Sequence, residues 1–132
     1  MLIINGKIFT MTGKPVDCGY IRTEGKVITE VGTMSSLDKR QKGEEVLDVD
    51  GAWVLPGLIE AHAHIGISEE KWGAIGDDCN ELTNPVTPAL RAIDAVNAMD
   101  PAFHDAIKAG ITSVMTGPGS SNVVGAQFVF MK

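Results

Sequence analysis

Strand-like runs and turn signals fill the first part of the chain. Leu2 to Thr10 is one apolar run, and Gly19 to Thr23 and Lys26 to Val31 are two short β-type segments joined by Glu24-Gly25, the pattern of a hairpin. Glu45 to Val54 reads as a second hairpin turning at Asp50-Gly51, and Met34 to Gln41 has room for one short helix before the Lys42-Gly43 break. Residues 1–55 are therefore expected to form a small all-β unit. After Leu55 the period changes. A strand from Leu58 to His64, a long loop from Ile65 to Pro85, a helix and a further strand from Ile111 to Thr116 follow in the order that builds a parallel sheet. Residues 56–132 thus form a second, α/β region.

The helix between those strands carries the clearest local signals. Asp100 suits the N-cap and Pro101 the first helical position, while Phe103, Ala106 and Ile107 supply an apolar face and Gly110 a stop. His104 lies one residue past Phe103, off that stripe, and is expected on the solvent side. Thr87 to Asn97 fits a helix through Leu90, Ile93 and Val96. Leu90 to Asp94 also fits an extended segment, and the helix is the preferred reading.

Composition narrows the class of partner. Eleven basic against seventeen acidic residues give a formal charge of −6, so there is no basic surface for nucleic acid or anionic membrane. The N-terminal run lacks the basic start and the apolar stretch of about 7 to 15 residues that a secretory signal needs. No segment approaches the roughly 18 apolar residues of a membrane span. A cytoplasmic protein is expected. Cys18 and Cys79 form no CxxC pair and are expected to be buried or idle.

The candidate chemistry sits at the end of the first α/β strand. His62 and His64 close the run Trp53-Val54-Leu55-Pro56-Gly57-Leu58-Ile59-Glu60-Ala61-His62-Ala63-His64. On a strand, residues two apart share a face and lie roughly 6 to 7 Å apart, so both imidazoles can converge on one ion. Leu58 and Ile59 suggest a strand buried on both faces, as in a parallel sheet, and α/β folds place ligands beyond the C-terminal ends of such strands. Asp77, Asp78 and Glu81 in the following loop are expected either to face substrate or to be solvated.

Val54 to His64 resembles the barrel-opening motif of the amidohydrolase superfamily, whose first strand ends in His-x-His with both histidines on metal. Glu60 stands where those enzymes usually carry Asp. Ala109 to Asn122 resembles the second barrel strand and loop of the imidazolonepropionase-like branch, with Gly125-Ala126-Gln127 in place of Gly-Gly-Gln. If position 126 requires a positive φ, Ala126 is strained there. The resemblance implies the start of a (β/α)8 TIM barrel in residues 56–132, preceded by part of a small β-sandwich in residues 1–55. A full barrel needs about 250 residues and the chain has 132. It is therefore expected to be an inactive fragment, with exposed apolar surface and open strand edges.

His62 and His64 are the implied metal ligands, for zinc or alternatively manganese or iron, as one or two ions. The intact protein is then a metal-dependent hydrolase cleaving a non-peptide carbon–nitrogen bond, a cyclic amide or acyl-amino bond, through a metal-activated water. Its catalytic acid/base is expected beyond Lys132. The implied partners are a small-molecule substrate and further copies of the same chain, as a homo-oligomer. The alternative is a non-catalytic assembly module derived from the same fold.

Overall fold

The computed structural model describes residues 1–70 and 72–132. The chain divides into two compact units, Met1–Pro56 and Gly57–Lys132.

In the first unit five strands form one sheet: β1 (Leu2–Ile8), β2 (Val16–Glu24), β3 (Val27–Thr33), β4 (Val46–Asp48) and β5 (Trp53–Val54). β1 is the central strand. It pairs antiparallel with β2, which pairs antiparallel with β3 across the two-residue turn Gly25-Lys26. Alternate residues of β1, Leu2, Ile4 and Ile8, are buried. Leu2 and Ile4 pack with Tyr20 under Met34 and Leu37. Burial of each such aliphatic side chain contributes about 1.5–3 kcal/mol. The short helix expected over Met34–Gln41 is only one 3-10 turn, Met34–Ser36. Beside this cluster Arg22 is buried and donates through Nε to Glu44 Oε1 at 2.8 Å, and its Nη1 pairs with Glu30. A buried guanidinium needs such partners.

The second hairpin is not formed. β4 and β5 do not pair with each other; both run parallel to the same edge of β1, Leu2 opposite Val46 and Lys7 opposite Trp53. Asp50 (φ +46°) and Gly51 (φ +82°) do make a tight turn, closed by Ala52 N–H to Val49 O at 2.9 Å. It acts as an outward kink within one edge. The cause lies across the ladder, where Asn5 (φ +59°) breaks the regularity of β1 and its Nδ2 donates to Asp48 Oδ2 at 2.9 Å. Strands of three and two residues gain more from an existing edge than from each other.

In the second unit β6 (Leu58–Ala63) pairs parallel with β7 (Ile111–Thr116), and β8 (Val129–Met131) adds antiparallel to β7. Helix α1 spans only Ala92–Ala95. Arg91 is extended and bridges Gln127, and residues 88–89 form a turn, so Thr87–Asn97 is neither the preferred helix nor the extended Leu90–Asp94 segment but a single helical turn after one bridge. Helix α2 (Pro101–Lys108) forms as expected: Asp100 Oδ1 accepts from Ala102 N–H at 3.0 Å and Pro101 occupies the first turn.

Two expectations about this sheet are corrected. β6 is not buried on both faces: Leu58 is 54% and Ile59 66% exposed, because β7 is its one strand neighbour among the described residues. The far edge of β7 is not open either, since β8 occupies it. No helix among the described residues is long and apolar enough to cross a membrane.

Candidate metal centre

The register of β6 against β7 is irregular around His62. Glu60 pairs with Val114 and Ala63 with Thr116, three steps on one strand against two on the other. The extra residue is a bulge, which bends a strand and re-aims a side chain. His62 N–H donates to its neighbour's carboxylate, Glu60 Oε1, at 3.0 Å. The longer Glu side chain therefore has a local task here, capping the backbone donor of the bulged stretch. The His62 ring is exposed.

His64 follows directly after β6 and is half-buried. Its Nδ1 lies 2.7 Å from Gly117 O, just past the end of β7. A carbonyl oxygen can only accept, so Nδ1 carries the proton and the lone pair of the neutral ring resides on Nε2. That is the tautomer of a metal-ligating histidine whose second nitrogen is anchored to backbone. The two imidazoles sit edge to face with centroids 5.2 Å apart. Phe128 packs against His62 at 5.3 Å. A Cβ on Gly117 would clash with the Phe128 ring, with three ring carbons within 2.5 Å, so glycine is what admits this close approach.

The loop after His64 is built by Asp100. Besides capping α2, its Oδ2 accepts from Gly66 N–H at 3.0 Å, and Oδ1 is 3.4 Å from Glu70 N. Gly66 has φ +78° and abuts the Phe103 ring. Asn97 N–H donates to Gly66 O at 2.8 Å. Further on, the 3-10 turn Gly73–Gly76 and the bridge Ser68–Asp77 give the 65–85 loop internal structure.

Asp77 and Asp78 are exposed, and Glu81 bonds Thr83, which holds its carboxyl below the usual range. A cavity of about 210 Å³ lies among the loops after β6 and β7, walled by Ile67, Cys79, Thr87, Leu90, Pro118 and Asn122. Neither histidine lines it. Burial pushes the Cys79 thiol up. Cys18, expected to be buried or idle, is exposed and free. Ala126 does not have a positive φ, so the Ala in place of Gly costs no backbone strain.

The paired imidazoles, with one ring locked for donation through Nε2, suit a divalent ion. Among the described residues no third His, Cys, Asp or Glu joins them in a cluster. His104 is exposed on α2, as expected. Sequence reasoning missed Gly117, Thr116, Phe128 and the second task of Asp100. The available signal was Thr116-Gly117 closing β7 at the same end of the sheet as the histidines.

No family model matches the chain. The amidohydrolase tasK of Hapsidospora irregularis is 30% identical over a 147-position alignment covering 99% of this chain and 15% of that protein. A solved structure of an amidohydrolase from Thermotoga maritima superposes with a TM-score of 0.84 at 37% identity, covering 99% of this chain and 33% of that one. The chain is related to the amidohydrolases. A dihydroorotase of Bacillus pumilus is 47% identical over 64 residues, 48% of this chain and 14% of the enzyme. A 5-methylthioadenosine/S-adenosylhomocysteine deaminase of Bacillus cereus is 30% identical over 122 residues, 83% and 26%. The chain therefore spans a third or less of the length of each amidohydrolase relative.

Proposed function

We propose that this segment supplies two ligands, His62 and His64, of a divalent metal site in a hydrolase acting on a carbon–nitrogen bond other than a peptide bond. The observation that carries this reading is the imidazole pair at the C-terminal end of β6, with His64 Nδ1 held on Gly117 O. The named activities of the relatives support the reaction class. Zinc is the proposed ion, with manganese or iron as alternatives, in a site of one or two ions. When bound, such an ion polarises a carbonyl and lowers the pKa of water to about 7. The chain's own part is to present two neutral imidazoles, to fix the tautomer of one, and to wall the His62 side with Phe128.

On this reading β6 and β7 are the first two strands of a (β/α)8 barrel and β1 to β5 part of a β-sandwich. The antiparallel β8 lies outside the all-parallel barrel ladder. The Ala109–Asn122 segment favours the imidazolonepropionase-like branch. The substrate is a small cyclic amide or acyl-amino compound, and the intact enzyme is a cytoplasmic homo-oligomer with no nucleic-acid or membrane partner. Two ligands leave an ion mostly hydrated, whereas zinc sites keep three or four protein ligands. Alone, the 132-residue chain is inactive. The same shortfall favours, as a second reading, a non-catalytic assembly module.

The test uses the intact protein containing this segment. His62→Ala and His64→Ala should each strip metal and lower turnover of cyclic amides and acyl-amino compounds by orders of magnitude. His104→Ala should leave both unchanged. Full activity and metal content in the His62 and His64 variants would refute the assignment, and intact metal binding without turnover of any such compound in the unmutated protein would favour the assembly module.

A further inference from the structure

Three hydrogen bonds tie residues 63–65 to the end of β7, the first closing the last ladder pair and the other two lying beyond it. Gly117 N–H donates to Ala63 O at 3.1 Å, His64 Nδ1–H to Gly117 O at 2.7 Å, and Thr116 Oγ1 to Ile65 O at 2.8 Å. The backbone is thereby held immediately before and immediately after His64. Thr116 is fully buried, at 0% exposure. For packing alone a valine would fill that place with the same shape, whereas a buried hydroxyl is costly unless it is bonded. The hydroxyl meets a carbonyl that lies beyond the β6 ladder and has no other hydrogen-bond donor among the described residues.

We propose that Thr116 is a positioning residue for His64: its hydroxyl clamps the Ile65 carbonyl, fixing the backbone so that Nδ1 stays on Gly117 O and Nε2 is presented to a metal ion. The proposal rests on the reading of His62 and His64 as ligands. It adds that the orientation of one ligand is set from the neighbouring strand, through a side chain that touches neither metal nor substrate. Gly117 supplies the acceptor through its backbone, so no side-chain substitution there isolates the effect. Thr116 can be tested without disturbing a ligand.

The experiment combines nitrogen NMR of the metal-free chain, labelled at histidine, with Co²⁺ titration. At about pH 8, above the ordinary histidine range, His64 should show a protonated Nδ1 and a bare Nε2. Thr116→Val should lose that single-tautomer signature and weaken Co²⁺ binding about 10- to 100-fold, the usual cost of removing an outer support of a metal ligand. Thr116→Ser, which keeps the hydroxyl, should restore both.

A wild-type His64 carrying its proton on Nε2 would overturn the proposal even if the valine variant does not fold. So would a folded valine variant with unchanged tautomer and unchanged affinity. Absence of Co²⁺ binding by the wild-type chain would leave the tautomer comparison to decide on the clamp by itself, and loss of metal binding in the intact His62 and His64 variants to decide on the ligand reading.

Discussion

β1 and β6 open on similar aliphatic residues, Leu2-Ile3-Ile4 and Leu58-Ile59, and meet opposite fates. Leu2 is 0% exposed and Ile4 4%, whereas Leu58 and Ile59 stay more than half exposed. The difference is in their neighbours. β1 is flanked by β2 on one edge and by β4 and β5 on the other, and Met34 and Leu37 cover its buried face. β6 has β7 alone. An apolar run reports that a strand can be buried; only the rest of the fold decides whether it is. The strand bearing the histidines thus leaves its leading apolar side chains without cover among the described residues.

Truncation at the two strands should separate them most widely. Leu2→Ala, which empties a fully buried site, should cost about 2–5 kcal/mol in urea unfolding followed through protection of β1 and β2 amides. Leu58→Ala should change stability by about 0.5 kcal/mol or less. Equal losses would mean that β6 is covered after all.

Asp100→Ala comes next. It removes the cap of α2 and leaves Gly66 N–H without its acceptor, so a loss of about 1–3 kcal/mol is expected, confined to the second unit. Hydrogen exchange should then rise in α2 and around Gly66 while β1 to β3 are unaffected.

The smallest of the stability effects is pH-dependent and belongs to the first unit. The hydrogen bond from Arg22 holds the Glu44 carboxyl below its usual range. A carboxylate with a depressed folded-state pKa adds stability above its unfolded value, about 4.3, and loses it as pH falls through the lower folded value. The β2 amides should therefore lose protection on acidification below about pH 4.3, and Glu44→Gln should flatten that dependence. An unchanged acid profile in the Gln variant would show that the Arg22 pair does not carry it.

The same contrast explains what could be read in advance. The Asp100-Pro101 start of α2, the β2–β3 hairpin and the order strand–helix–strand are encoded within a few residues of each other. The His62-x-His64 pair is equally local. Asp50-Gly51 was read as a hairpin turn because its backbone chemistry is that of one, but the choice between pairing β4 with β5 and pairing both with β1 depends on Asn5, more than forty residues away. Thr87–Asn97 departs from its helical pattern because Ala92 N–H donates to Gln127 O and Leu90 O accepts from Gln127 N–H instead. The bond from His64 to Gly117 spans 53 positions, and no periodicity announces it. The bulge between Glu60 and Ala63 is likewise a property of the paired strands and not of either alone.

The central claim is that His62 and His64 converge on one ion, and paramagnetic titration of the chain tests it most directly. Adding substoichiometric Mn²⁺ to the histidine-labelled protein should broaden the His62 and His64 ring signals together while the His104 signal stays sharp. Broadening of His104 ahead of the pair, or of only one member of the pair, would contradict the account.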